Sequence, residues 1–189
     1  GEYMRKGSAE CLYRDSKAEA EVYLDGEGKA TVSSGSGFLD HMLTALARTS
    51  GWDLTARAEP GLYMIEALGS AIGLAIDKSL GERRGIRRYG SASVPMDEAL
   101  ADVSLDFSGR PYLVVSGDLC SARIGDFDLD LLEPFLDAIA TGARLTLHVR
   151  FYGENDHHKV ESIFKALGLA VRQAAIKEGT GVPSTKGLI

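Results

Sequence analysis

The sequence predicts an α+β fold built from two internally duplicated half-units, each a small mixed or antiparallel sheet with two helices. Three observations predict it. Strand-like and helix-like segments alternate along the whole chain. The stretch Ile65–Ile76 lies over Val160–Val171 with identities at Glu66/Glu161, Ala71/Ala166, Gly73/Gly168, Leu74/Leu169 and Ala75/Ala170. Around each copy the segments run in one order: strand, strand, helix, strand, helix. The plainer alternative is chance similarity between two amphipathic helices. The expected division is residues 1–90 for the first half-repeat and 91–189 for the second, packed as one compact unit.

The elements follow in chain order. Ala18 to Leu24 alternates loosely, Asp25-Gly-Glu-Gly28 is turn chemistry, and Lys29 to Ser33 resumes an extended pattern, so residues 17–33 read as a strand pair. After Ser34-Gly-Ser-Gly37, residues Phe38 to Ala47 place Leu39, Met42, Leu43 and Leu46 on one helical face. Trp52 to Ala58 is extended, Glu59-Pro-Gly61 is a turn, and Ile65 to Leu80 is a long helix stopped by Gly81. In the second half, Ala92–Val94, Ala101–Phe107 and Tyr112–Ser116 are strand-like. Leu129–Ala140 reads as a helix, Arg144–Tyr152 as a strand and His157–Lys177 as a second long helix. The matching dipeptides Leu54-Thr55 and Leu145-Thr146 expose a shortage. Glu161 follows Leu145 by 16 residues, whereas Glu66 follows Leu54 by 12, so the first half lacks four residues ahead of its long helix.

Composition narrows the function classes. Of 189 residues, 21 are basic and 27 acidic, a net charge of −6, which disfavours a broad nucleic-acid surface but permits a local basic pocket. Two cysteines, Cys11 and Cys120, are too few for a disulfide framework, so a reducing cytoplasm is expected. No stretch of eighteen apolar residues exists to span a membrane, and Gly1-Glu-Tyr-Met-Arg-Lys6 contains no apolar signal core.

The four histidines, His41, His148, His157 and His158, carry the strongest chemical signal. His157-His-Lys-Val-Glu161 opens a helix, where Glu161 stands i+4 from one imidazole and i+3 from the next. Adjacent helical residues point about 100° apart, so the two histidines suit two metal centres better than one. Imidazole nitrogen with carboxylate oxygen fits Mn, Fe, Co, Ni or Zn. His148 precedes them on a strand, and His41 sits on a helix. A solvated helix start is the plainer alternative for HHxxE, and a structural role for a lone helical histidine. Arg83-Arg-Gly-Ile-Arg-Arg88, Ser108-Gly-Arg110 and Ser184-Thr-Lys186 offer anion-binding groups, although an arginine cluster also suits a solvated helix end. Asp97-Glu98 provides paired carboxylates able to position substrate or move protons.

These motifs together resemble the imidazoleglycerol-phosphate dehydratase family. The resemblance rests on Gly37-Phe-Leu-Asp-His-Met-Leu43, Gly85-Ile-Arg-Arg-Tyr-Gly90, Pro95-Met-Asp-Glu98, Ser108-Gly-Arg-Pro-Tyr112, Leu145-Thr-Leu-His148, Asn155-Asp-His-His-Lys-Val-Glu161 and Val182-Pro-Ser-Thr-Lys-Gly187, in family order across almost the whole chain. It implies sheets and helix pairs packed back to back. It implies a lyase that dehydrates imidazole glycerol phosphate to imidazole acetol phosphate, with two Mn ions per site at subunit interfaces of a 24-subunit shell. The substrate imidazole would bind both ions and accept charge as a carbon-bound proton leaves. The metal ligands so implied are His41, Glu66, His148, His157, His158 and Glu161. Asp15, Glu66 and Glu161 are the implied catalytic carboxylates. Arg88, Asp97, Glu98, Arg110, Ser184, Thr185 and Lys186 fall at substrate and phosphate positions, the last three on a substrate-binding tail.

The chain also departs from the family pattern. Asp15-Ser16 stands where the family has Glu-Thr, and Thr49 replaces a histidine. The Asp-Asp-His-His-Thr block ahead of the first-half glutamate is absent. Three accounts compete: a deletion in a degenerate member, a divergent ligand set, or residues missing between Met64 and Ile65, which the family-like flanks favour. A whole ligand set implies an active 24-mer. A depleted one implies a metal-poor trimer. The alternatives to the dehydratase are a non-catalytic homologue that keeps the scaffold and phosphate binding, and a phosphate-binding module with other chemistry.

Overall fold

A computed structural model describes residues 4–181 and 185–186. The first half contains β1 (Lys6–Tyr13), β2 (Ser16–Tyr23), β3 (Ala30–Ser33), α1 (Gly37–Ser50), β4 (Asp53–Ala58) and α2 (Met64–Leu80). The second contains β5 (Tyr89–Met96), β6 (Ala99–Asp106), β7 (Tyr112–Ser116), a two-residue hairpin β8–β9 (Arg123–Ile124 and Phe127–Asp128), α3 (Leu132–Ala143), β10 (Thr146–Tyr152) and α4 (Asp156–Ala174). The two four-stranded sheets have orders β1-β2-β4-β3 and β5-β6-β10-β7, the same topology drawn twice. In each, three strands are antiparallel and the last, β3 or β7, runs parallel to its neighbour. The fold is therefore the expected α+β arrangement of repeated half-units.

Helix α2 lies on the first sheet and α4 on the second, while α2 packs on α3 and α1 on α4. The helices thus form the middle of the molecule, with the sheets outside them. Strand β2 alternates buried and less buried residues, with Ala18, Ala20 and Val22 facing the helices. Phe135, Phe164, Leu43 and Ile163 are fully buried in the shared core, each contributing about 1.5–3 kcal/mol.

The structure corrects several sequence expectations. Residues 18–24 and 29–33 are strands but not partners, because β4 inserts between β2 and β3. The partner of β2 is β1, whose Lys-Gly-Ser-Ala-Glu-Cys sequence lacks the hydrophobic alternation of a recognisable strand. Each half accordingly places three strands of its four-stranded sheet before its first helix, and the second half adds the small β8–β9 hairpin. The start of the second long helix lies at Asp156 and its end at Ala174, three residues short of Lys177.

Strand register also corrects the internal alignment. Leu54 pairs with Val22 in the first sheet, and Leu147 pairs with Leu105 in the second. The turns Tyr13–Ser16 and Met96–Ala99 set the same offset between Val22 and Leu105, so Leu54 corresponds to Leu147 rather than Leu145. The shortage before α2 is then two residues, since Glu161 follows Leu147 by 14 and Glu66 follows Leu54 by 12.

Glycine contacts verify the correspondence independently. A Cβ on Gly73 would meet Ile139 O and the backbone of Gly142, and one on Gly168 would meet Leu46 O and Thr49. These are equivalent positions on α3 and α1, counted back from the left-handed caps Arg144 and Gly51. Both helix crossings need a bare backbone at the contact, which is why the repeat retains its glycine pair.

Candidate functional site

The first turn of α4 is fastened from several directions. Asn155 caps it by accepting from the His158 backbone N–H at 3.0 Å. Asp156 is buried and accepts from the backbone N–H groups of Cys120 (3.0 Å) and Ser121 (2.6 Å). Burial pushes its carboxyl upward, but those donors and Lys159 outweigh it and hold it below the ordinary aspartate value. Lys159, also buried, donates to Asp118 O at 2.9 Å and to Asp156. This clamp between the turn and residues 118–121 sets where His157 and His158 point.

Helix α1 brings the third imidazole. Ser36 caps it, and Asp126 in the β8–β9 turn accepts from Ser36 Oγ at 2.7 Å and the Gly37 N–H at 2.9 Å. A carboxylate at a helix N-terminus also complements the helix dipole. Phe38 meets both Phe127 and the ring of His157, with centroids 5.8 and 5.4 Å apart. A second-half hairpin therefore orients the first-half helix that carries His41.

The result is a compact donor cluster. His41 Nε2 lies 2.7 Å from Glu161 Oε1, and His157 Nε2 lies 3.3 Å from the same oxygen. One ligand atom from each of the three residues falls within 4.8 Å of the others. Lys165 Nζ stands 3.1 Å from Glu161 Oε2. Burial raises the Glu161 pKa, but Lys165, His41 and His157 together lower it by more, so the carboxyl sits below the ordinary glutamate value. The glutamate side chain is 7% exposed, but His41 and His157 are 57% and 41% exposed, so the cluster opens to solvent on its imidazole side. Two nitrogens and an ionised carboxylate converging this way fit one divalent transition-metal ion.

His158 points elsewhere, as adjacency on a helix requires. Its Nδ1 lies 2.5 Å from Glu98 Oε1, and Nε2 is 3.7 Å from Asp97. Glu98 also accepts from the backbone N–H groups of Glu154 (2.7 Å) and Asn155 (3.1 Å). The His158 contact first, then these donors, hold the Glu98 carboxyl down at about 2, and Glu98 raises the His158 pKa.

Other expected residues are not brought to the cluster within one chain. His148 lies on the outer face of β10, beside Ser104 and Val114 on the flanking strands. Glu66 is in the first turn of α2, with Oε2 buried and without a hydrogen-bond partner among the described residues. Asp15 accepts from Ser16 Oγ in the β1–β2 turn. Arg88 is paired with Asp106 at 2.6 Å and lies against Tyr89, so its guanidinium is already engaged. Arg110 is exposed just beyond β6, and Thr185 and Lys186 are exposed in the tail. Ser184 lies outside the described residues. Sequence reasoning missed Lys165, which its i+4 spacing from Glu161 does signal, and Asp126, which carries no local signal.

Together, fold and cluster define a repeated α+β protein with a candidate histidine–carboxylate metal centre between its halves. The sequence model of imidazoleglycerol-phosphate dehydratase matches residues 34–171. The chain is 44% identical over 181 residues to the imidazoleglycerol-phosphate dehydratase of Methanosarcina mazei, covering 93% of this chain and 95% of that one. It is 44% identical over 193 residues to that of Exiguobacterium sp., covering 98% and 99%. The fold is similar to the crystal structure of the Staphylococcus aureus enzyme (TM-score 0.83, 33% identity, 91% of this chain and 99% of that one). It is also similar to the Pyrococcus furiosus structure (TM-score 0.81, 36% identity, 96% and 100%). The chain belongs to the imidazoleglycerol-phosphate dehydratase family.

Proposed function

We propose that this chain is a metal-dependent hydro-lyase that removes water from imidazole glycerol phosphate to give imidazole acetol phosphate, a step of histidine biosynthesis. The observation that carries this reading is the convergence of His41, His157 and Glu161 in a chain of this family. Manganese is the ion proposed for the cluster, and the cytoplasm the proposed compartment. Among the described residues no helix is long and apolar enough to cross a membrane.

A bound divalent ion would polarise the substrate imidazole and so acidify the adjacent C–H bond. The chain's own residues supply the rest. Dehydration removes a proton from one carbon and hydroxide from its neighbour, and a carboxylate can receive the proton. Asp15, Glu66 and Glu161 are the carboxylates proposed for that role, and Glu161 is the one in the cluster. Its charge is maintained by Lys165, which leaves Oε1 available to the imidazole side. Glu98 holds one nitrogen of His158 and thereby fixes its ring.

Phosphate recognition is proposed for Arg88, Arg110, Ser184, Thr185 and Lys186, with Asp97 and Glu98 as substrate-positioning groups. Arg88 and Arg110 flank the end of the second sheet opposite the β5–β6 turn that holds Glu98. Seven strand residues, roughly 23 Å at about 3.3 Å each, separate those ends. A small phosphate ester cannot touch both ends of one chain. A complete site therefore joins two copies, with His148 and the arginines of one facing the cluster of another. This supports a homo-oligomer, a 24-mer when the metal sites are whole and a trimer when they are not, readable by light scattering before and after chelation.

Turnover of imidazole glycerol phosphate by the purified full chain tests the function. Product should form with MnCl2 present, stop on chelation and return when Mn is restored. No turnover by folded, Mn-loaded protein would remove the enzyme reading.

A further inference from the structure

The duplicated fold permits a residue-by-residue comparison of the two half-sites. Helices α2 and α4 correspond through Glu66/Glu161 and Gly73/Gly168, and α1 and α3 through their caps. Glu161 has three side-chain partners: His41, His157 and Lys165. The positions that correspond to these three partners hold Pro134, Leu62 and Ser70. Neither Pro134 nor Leu62 has a side-chain donor atom for a metal ion, and Ser70 carries no positive charge. The consequence is visible in the buried Glu66 Oε2 without a partner among the described residues. His158 has Tyr63 as its counterpart, and His148 has Thr55.

The first half has also built something else where its imidazoles would stand. Helix α4 begins at Asp156, but α2 begins at Met64, the counterpart of Lys159, so a turn of helix is gone. Tyr63 stands at the N-cap of α2 with no side-chain bond to the helix's free N–H groups, and its backbone N–H donates to Ser16 Oγ at 2.9 Å. Arg14, the counterpart of Asp97 in the matching turn, stacks 4.5 Å from the Tyr63 ring centroid and donates to its hydroxyl at 2.8 Å. Tyr13 meets the same ring edge-on at 5.6 Å. A cation–π clasp replaces the carboxylate–imidazole contact of the second half.

We infer that this chain binds one divalent ion rather than two: His41, His157 and Glu161 hold it, while the first half-site, Glu66 included, is metal-silent. The first half then serves the centre by delivering His41 on α1. This rests on the dehydratase reading for the identity of the centre, but it departs from the two ions that family resemblance implies.

Metal stoichiometry tests it. The full-length protein is chelated, equilibrated with MnCl2, freed of excess ion and measured by elemental analysis alongside protein concentration. One Mn per chain is expected for the unaltered chain and for Glu66→Gln. Glu161→Gln and His41→Ala should each weaken Mn binding at least tenfold. The exposed His41 keeps the test open should Glu161→Gln fail to fold by circular dichroism. Two Mn per chain, or loss of Mn in Glu66→Gln, would overturn the inference while leaving the dehydratase reading standing. No Mn at all would overturn both.

Discussion

His41 Nε2 and Glu161 Oε1 stand 2.7 Å apart although 120 residues separate them in the chain. The contact crosses the α1–α4 packing, so it exists only when both halves are folded together. It gives the candidate centre a ligand pair that neither half supplies alone. His41→Ala should lower dehydratase turnover by about 100-fold or more, the scale on which disrupting a metal shell acts. The thermal midpoint measured without metal should change little, since this imidazole is more than half exposed. Retained turnover with normal Mn content would show that His41 is not a ligand.

The Glu98–His158 contact makes a pH signature in the metal-free protein. Glu98 is lowered from its ordinary 4.5 to about 2, so its stabilising contribution is present above the ordinary value and fades as pH falls toward about 2. The His158 pKa is raised, so its contribution is present below the ordinary histidine value and is lost as pH rises through the raised one. The pair should stabilise most between these limits. Glu98→Gln should bring the His158 titration, followed by NMR, down toward ordinary histidine. An unchanged titration would mean that the contact does not form in solution.

Half-unit repetition and the HHxxE donors were legible because both are local. Helix periodicity carries Glu66 and Glu161, and i,i+4 spacing joins His157 to Glu161. The partnership of His41 with Glu161 was not legible from spacing, because it depends on how two helices cross. Strand β1 carries no readable strand signal, since Lys6, Ser8 and Glu10 alternate with small residues, not large apolar ones. Resemblance places His148 among the ligands, and strand alternation turns it to the outer face of the second sheet, away from the cluster of its own chain. The shortage before α2 is two residues by backbone register, not the four that matching Leu-Thr dipeptides suggests, because identical dipeptides need not occupy equivalent strand positions.

The helix crossings should be intolerant of a methyl group, and unequally so. A Cβ at Gly73 would lie 2.5 Å from Ile139 O and 2.9 Å from Ala143 N, both fixed backbone atoms. At Gly168 the nearest atom, 1.8 Å away, is the side-chain Oγ1 of Thr49, followed by Leu46 O at 2.9 Å. Gly73→Ala should cost about 1–3 kcal/mol by overpacking. At about 2–4 °C per kcal/mol for a chain of this size, calorimetry resolves the difference. Gly168→Ala should be partly rescued by Thr49→Ala, which removes the movable clash, whereas no single side-chain truncation on α3 relieves Gly73→Ala. Equal costs at the two sites, or no rescue, would contradict this packing.

Arg83 is a buried cation, 1% exposed, beside the joint of α2 and α3. Its guanidinium donates to Asp77 Oδ1 at 2.8 Å, to Arg144 O at 3.1 Å and to Ala143 O at 2.5 Å. Asp77 also accepts from Arg144 Nε at 3.1 Å, so one carboxylate on α2 balances two arginines, Arg83 just past α2 and Arg144 at the cap of α3. Burial lowers the Arg83 pKa and Asp77 opposes that. Removing the carboxylate takes away the hydrogen-bonded counter-charge and leaves only the weaker influence of Asp106, because the two carbonyls supply dipoles but no net charge. Asp77→Ala should therefore cost about 3–5 kcal/mol, the range for breaking a buried pair from one side. Arg83→Met should cost less, since it removes the desolvated charge together with its demand for a partner and leaves Asp77 paired with Arg144. Chemical denaturation of both variants gives the ranking. If Arg83→Met proves the more damaging, the carbonyl contacts rather than the charge hold this joint.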